Sequence, residues 1–242
     1  MVLLPRASLL DAGRSCWHAC GVVRVRTKIC GIGTLDDLGV AVTAGADAIG
    51  LIVGTTHVSE DELSVEQARE IAAAAPALVS TVLVTHVVSA EDILDLADRI
   101  GVDTVQVHGE VSIDTMRAVW RDRRCSLRVI GTVHVTGEQA IAAAQEVSGV
   151  SHAVLLDTRT AARLGGTGRT HDWAISQRIV EVLHQNGHPV ILAGGLDKSN
   201  VSSAVQIVRP YGVDANSRLK GPDGRKDPSR CEAFVRAANS GH

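Results

Sequence analysis

Aromatic side chains are scarce in this chain, with three Trp, one Tyr and one Phe among 242 residues. That scarcity argues against base-stacking platforms and aromatic cages. It also means that the core must be built from Val, Ile, Leu and Ala, which suits β-branched strands packed under Ala-rich helices. No charge of one sign dominates: 24 basic and 27 acidic residues are mixed along the chain for a net charge of −3. This gives neither a basic nucleic-acid face nor a polybasic membrane patch, so the expected partner is a small molecule, with no nucleic acid and no membrane. No apolar run approaches the length of a membrane span. Within residues 1–25, Pro5, Arg6, Asp11 and Arg14 interrupt the apolar stretch and leave no signal-peptide core. The cysteines (Cys16, Cys20, Cys30, Cys125 and Cys231) are odd in number and irregularly spaced. A disulfide framework is therefore not expected, and a reducing, cytoplasmic setting is. Cys16 and Cys20 lack a second ligand pair, so no metal is assigned to them.

From Arg26 onward, apolar runs of strand length alternate with Ala- and charge-rich stretches of helical length. The predicted strands are 26–31, 48–53, 79–86, 104–108, 127–133, 152–157, 189–193 and 212–215. The predicted helices are 35–44, 64–75, 90–100, 112–121, 137–147, 173–184, 198–206 and 228–238. Ser64 and Ser89 are predicted N-caps and Ser199 is predicted to open the seventh helix, while Gly45 and Gly101 stop two others. Eight βα units without a long linker predict a single (β/α)8 TIM barrel over 26–242, preceded by a short, poorly ordered extension over 1–25. An open doubly wound sheet is the alternative. Gly31-Ile32-Gly33, however, lacks the third glycine of a dinucleotide-binding turn.

In a barrel, chemistry sits where strands end. The first strand ends at Cys30, readable either as a small buried apolar residue or as a thiolate base. The sixth, Ala153-Val154-Leu155-Leu156-Asp157, ends in a carboxylate. It is either capped or paired with Arg159 or Arg163, or it is used as an acid. If both residues function, a base and an acid face each other across the mouth. Gly194-Gly195 follows the seventh strand, where bare amides and a helix N-terminus favour an anion, and Asn216-Ser217 after the eighth strand offers donors to the same spot. Gly165-Gly166-Thr167-Gly168 lies in a long sixth loop that either folds over a ligand or is a surface connection. His57, His86, His108 and His134 lie at or beyond the ends of strands two to five. They are read either as a cluster for a divalent metal or an amine, or as unrelated loop residues.

Several segments occur in order and at the expected spacing. They are Thr27-Lys28-Ile29-Cys30-Gly31-Ile32, Ala44 to Gly50, Val105-Gln106-Val107-His108-Gly109, and Leu155-Leu156-Asp157 with Gly165 to Gly168 and Asp172-Trp173. Leu192 to Leu196 with Asn200-Val201, Val213-Asp214 and Lys226-Asp227 complete the set. Together they resemble the phosphoribosylanthranilate isomerase family of tryptophan biosynthesis, over residues 27 to about 239. The resemblance implies a cofactor-free Amadori rearrangement on an eight-stranded barrel, in a monomer or homodimer, acting on a phosphorylated small molecule. It implies Cys30 as general base and Asp157 as general acid. Lys28, His108, Gly166, Thr167, Gly168, Gly194, Gly195, Asn216, Ser217 and Arg218 are implied around the substrate, with no metal ligands.

Two departures stand out. Where the family carries an arginine that holds the anthranilate carboxylate, in a Ser-Pro-Arg segment, this chain has Asp61 within Ser59-Glu60-Asp61-Glu62. Where the family has Ser-Ser-Gly-Val-Glu after the eighth strand, it has Asn216-Ser217-Arg218-Leu219-Lys220. An acid at 61 repels a carboxylate, whereas Arg218 or Lys220 supplies positive charge for a phosphate. Two alternatives therefore stay open: an isomerase of another phosphosugar amine lacking that carboxylate, and a non-catalytic barrel that binds a phosphorylated metabolite.

Overall fold

Repeated switching between period-2 and period-3.6 apolar patterns produces alternating strands and helices in the computed structural model, which describes residues 24–56, 59–122, 127–160, 163–164 and 171–240. The elements are β1 (Arg26–Ile29), α1 (Leu35–Thr43), β2 (Ala48–Ile52), α2 (Val65–Ala74), β3 (Ser80–Thr85), α3 (Ala90–Ile100), β4 (Thr104–Val107) and α4 (Ile113–Arg121). They continue with β5 (Arg128–His134), α5 (Gln139–Ser148), β6 (Ala153–Asp157), a two-stranded ribbon β7 (Arg159–Thr160) and β8 (Arg163–Leu164), and α6 (Trp173–His184). The last are β9 (Val190–Leu192), α7 (Val201–Val208), β10 (Gly212–Ala215) and α8 (Pro228–Asn239). Eight parallel strands close in the order β1-β10-β9-β6-β5-β4-β3-β2. The chain is a single (β/α)8 barrel, as its pattern predicts.

Closure rests on β1 and β10, paired in register from Arg26 with Gly212 to Ile29 with Ala215. A buried set comprising Cys30, Val82, Val84, Ile130, Leu155 and Ala193 forms one cluster. The larger cluster, including Ile49, Leu51, Leu83, Ile93, Leu156, Ile179 and Phe234, seals the layer between strands and helices. Leu155 and Leu156 are both fully buried, yet they belong to different clusters, because alternate residues of a barrel strand point to opposite faces. Truncating either to Ala costs about 2–5 kcal/mol.

Helix starts follow their capping chemistry. Ser64 and Gln67 form a reciprocal capping box on α2, and Ser89 accepts from Asp92 N on α3. Gly45 and Gly101 take positive φ after α1 and α3. The aspartates two residues beyond them, Asp47 and Asp103, accept the backbone N–H groups of Thr27 and Thr81 at 2.8 and 3.0 Å, locking neighbouring strands together at the lower rim. The seventh helix departs from expectation. It begins at Val201 behind Asn200, and Ser199 is instead bonded to Asp197. The Asn200 side chain donates to Gly195 O at 3.0 Å and accepts from Asp197 N at 2.9 Å. Bracing the glycine loop this way leaves no side-chain cap for the helix.

Candidate active site

Strand parity decides which side chains meet at the mouth. In β1, Lys28 and Cys30 share a parity, and both are buried at the C-terminal end of the strand. Asp157 follows Leu155 by two residues and is likewise buried at the end of β6. His108, Asp214 and Asn216 close β4 and β10 at the same rim.

Lys28 Nζ donates to Asp214 Oδ2 at 2.9 Å, a pair with both side chains at least nine-tenths covered. Burial opposes the charge on Lys28, but Asp214 and Cys30 outweigh it and hold the ammonium above its ordinary range. Burial likewise pushes the Cys30 thiol upward, against the pull of the Lys28 and Lys226 ammonium groups and a hydrogen bond from Lys28, and with help from the Asp214 charge. Cys30 is thus a desolvated thiol beside cations that stabilise its thiolate once formed.

Asp157 accepts the Thr158 N–H on Oδ1 at 2.8 Å, and its Oδ2 lies 3.5 Å from His108 Nε2. Burial is the main influence on this carboxyl and raises its pKa to about 7, against the Thr158 hydrogen bond; the Asp214 charge adds to the rise and Lys28 opposes it. A carboxyl of that value delivers a proton near neutrality. The side chains of Arg159 and Arg163, the two partners considered in the sequence, lie outside the described residues.

His108 is buttressed from below: its Nδ1 lies 3.2 Å from Gln106 Nε2 and 3.4 Å from Thr132 Oγ1. The ring stacks on His86 at 5.3 Å and meets His134 edge-on at 5.4 Å. Three of the four histidines grouped in the sequence therefore assemble, and His57 lies outside the described residues. Among the described residues no group of three or more His, Cys, Asp or Glu is arranged to hold a metal ion.

Gly194 and Gly195 both have positive φ, at 89° and 67°. A Cβ on Gly194 would lie 2.2 Å from Thr158 Oγ1, so the glycine loop packs directly against the residue that holds Asp157. Thr158 Oγ1 in turn lies 2.9 Å from His171 Nδ1, and His171 Nε2 lies 2.6 Å from Ser176 Oγ. Burial lowers the His171 pKa to about 4, so this brace is neutral. Ser217 and Arg218 lie in a short 3-10 turn after β10, with Arg218 3.9 Å from Asp197. Arg218 and Asp197 line a cleft of about 290 Å3 with Lys198, Ser199, Leu219 and Arg230. The Asn216 side chain turns to Asp61 and Lys226, with Nδ2 donating to Asp61 Oδ2 at 2.9 Å and Oδ1 accepting from Lys226 Nζ at 2.7 Å. Gly166, Thr167 and Gly168 lie outside the described residues.

Sequence reading had not picked out Asp214, Lys226, Thr158 or His171 as parts of the site. Asp214 and Lys226 stood only among the segments that carry the resemblance, because their partners are distant in the chain.

Comparison with known proteins identifies the family. The family model described as N-(5'phosphoribosyl)anthranilate (PRA) isomerase matches residues 27–237. N-(5'-phosphoribosyl)anthranilate isomerase 2 of Methanosarcina mazei is 40% identical over 218 residues, spanning 89% of this chain and 95% of that one. The crystal structure of phosphoribosyl anthranilate isomerase from Thermotoga maritima superposes with a TM-score of 0.78 at 34% identity, covering 89% of this chain and 99% of that chain. A structure of such an isomerase in complex with reduced 1-(o-carboxyphenylamino)-1-deoxyribulose 5-phosphate gives a TM-score of 0.75 at 32% identity, with the same coverage. The chain belongs to the phosphoribosylanthranilate isomerase family, and with it to the aldose-ketose isomerases of tryptophan biosynthesis.

Proposed function

We propose that the chain converts N-(5-phosphoribosyl)anthranilate to 1-(o-carboxyphenylamino)-1-deoxyribulose 5-phosphate, with Cys30 as base, Asp157 as acid and no cofactor. The observation that carries this reading is the pairing of a buried carboxyl raised to about 7 with a buried thiol flanked by lysines, both at strand ends of one barrel mouth. Protonated Asp157 gives its proton to the ribose ring oxygen as the C1–O bond breaks, and the amine lone pair forms the C1=N double bond. The Cys30 thiolate then takes the C2 proton, and the C2–H electrons move into the C1–C2 bond while the C=N electrons return to nitrogen. The resulting enol loses its hydroxyl proton as C1 is protonated, which leaves the ketone. Lys28 and Lys226 stabilise the thiolate, and burial keeps Asp157 protonated until it is used.

The phosphate binds at the Gly194-Gly195 amides and the Ser217-Arg218 turn, as anion sites after the seventh and eighth strands do in this architecture. His108 borders Asp157 on the side of β4. Anchoring the phosphate fixes C1 and C2 between acid and base, which turns two proton transfers into reactions of one held molecule.

The test is loss of phosphoribosylanthranilate fluorescence when the substrate is generated in situ and purified protein is added. Turnover by the wild type, with loss in Cys30→Ala and Asp157→Asn, is the expected result. Undiminished turnover in either variant would refute the assignment.

A further inference from the structure

The substrate of the reading above carries a second anion, the carboxylate on its aryl ring. With the phosphate held after β9 and β10 and C2 at Cys30, the ring on the amine lies over β1, near the loops that follow β2 and β10. Three lysines serve this part of the mouth. Lys28 is committed to Asp214 beneath Cys30, and Lys226, only 4% exposed, is committed to the Asn216 side chain and carbonyl. Lys220 differs. Its Nζ lies 2.6 Å from Asp61 Oδ1 and 3.9 Å from Glu60 Oε2, and its side chain is 13% exposed. An ammonium has three N–H donors, and the close Asp61 contact engages one of them.

Asp61 occupies the position where the family carries its arginine, and Lys220 the position where the family carries a glutamate. The two departures therefore meet each other as an ion pair in this chain. Asp61 is held on both oxygens, by the Lys220 ammonium on Oδ1 and by a hydrogen bond from Asn216 Nδ2 on Oδ2 at 2.9 Å. The ammonium at this edge of the mouth, delivered from the β10 loop, is thus paired with Asp61 but keeps further N–H donors for a ligand. We propose that Lys220 recognises the aryl carboxylate, an inference that rests on the proposed substrate.

Calorimetric titration separates the inference from that reading. The probes are reduced 1-(o-carboxyphenylamino)-1-deoxyribulose 5-phosphate and its counterpart without the carboxylate. Wild-type protein is expected to bind the carboxylate probe about 10- to 100-fold tighter, the range of one charge-assisted hydrogen bond. Lys220→Met is expected to erase that preference while leaving the carboxylate-free probe unchanged, and Lys220→Arg to restore most of it. In turnover the Lys220→Met effect falls on KM rather than kcat. Asp61→Asn keeps the preference, because the cation remains. A preference that survives Lys220→Met overturns the proposal, as does equal weakening of both probes, which marks a structural role, or a wild-type preference for the carboxylate-free probe. If the wild type prefers the carboxylate probe but turns nothing over, Lys220 recognition stands and the catalytic reading fails. If it neither binds a probe nor turns over substrate, both fall.

Discussion

Replacing Asp157 by Asn should leave only a small residual activity and, at alkaline pH, make the protein more stable. In the folded chain this carboxyl is raised from 3.8 to about 7, with burial as the main cause. Between those values the native state keeps a proton that the unfolded chain has released. The stability linked to this proton is fully present below the unfolded value and is lost as pH rises through the folded one. Roughly three units at about 1.4 kcal/mol each amount to a penalty of about 4 kcal/mol once pH exceeds 7. About 3 kcal/mol of it develops between about pH 5 and about pH 8. Asn occupies the same volume, keeps an oxygen for the Thr158 N–H and does not titrate. Paired thermal melts of variant and wild type should therefore show the gap moving in the variant's favour by about 6–12 °C from the acidic to the alkaline buffer, at about 2–4 °C per kcal/mol for a chain of this size. A gap that does not change with pH, or that moves the other way, would show that Asp157 ionises freely in the folded protein and would remove its claim to be the acid.

Cys30→Ala should lower kcat by about 100- to 10,000-fold, the usual contribution of a positioned base, with little effect on affinity for a phosphorylated product analogue measured by calorimetry. Gly50→Ala should also act on Cys30, because the new Cβ would lie 2.6 Å from its Sγ and 3.1 Å from its Cα. Steady-state kinetics should show reduced kcat, and denaturant unfolding should show a loss of about 1–3 kcal/mol. Gly194→Ala strains a φ of 89° and pushes on Thr158, so it should raise KM and lower kcat together. An unaltered KM there would argue that the phosphate sits elsewhere.

The barrel was legible because local signals agreed with the global pattern. The strand-length apolar runs, the Ser64 and Ser89 caps and the glycine after α3 each specify an element within a residue or two. The seventh helix was misjudged at its start because Asp197-Lys198-Ser199-Asn200 offers several cap-like residues, and which of them caps depends on a glycine loop they help to hold. Cys30 and Asp157 were legible from their places at strand ends. Their electrostatics were not, since Lys28 and Asp214 are 186 residues apart and meet only when β1 closes against β10. Asp61 and Lys220 were visible singly, each as a departure. Their contact depends on the loops after β2 and β10 converging over β1, which no spacing in the sequence records.

The pH dependence of kcat/KM, followed from about pH 5 to pH 10, tests the acid-base pair as a pair. A thiol held above its ordinary value of 9.0 must be ionised, and a carboxyl near 7 must be protonated. The rate should climb tenfold per unit up to about pH 7, stay level until the thiol titrates, and fall beyond it, with only about one molecule in a hundred or fewer in the active form on the plateau. The residual rate of Asp157→Asn should climb without the break near 7. A wild-type profile that rises past pH 7 without a break would contradict the role of Asp157, and a profile independent of pH above 7 in Asp157→Asn would contradict that of Cys30.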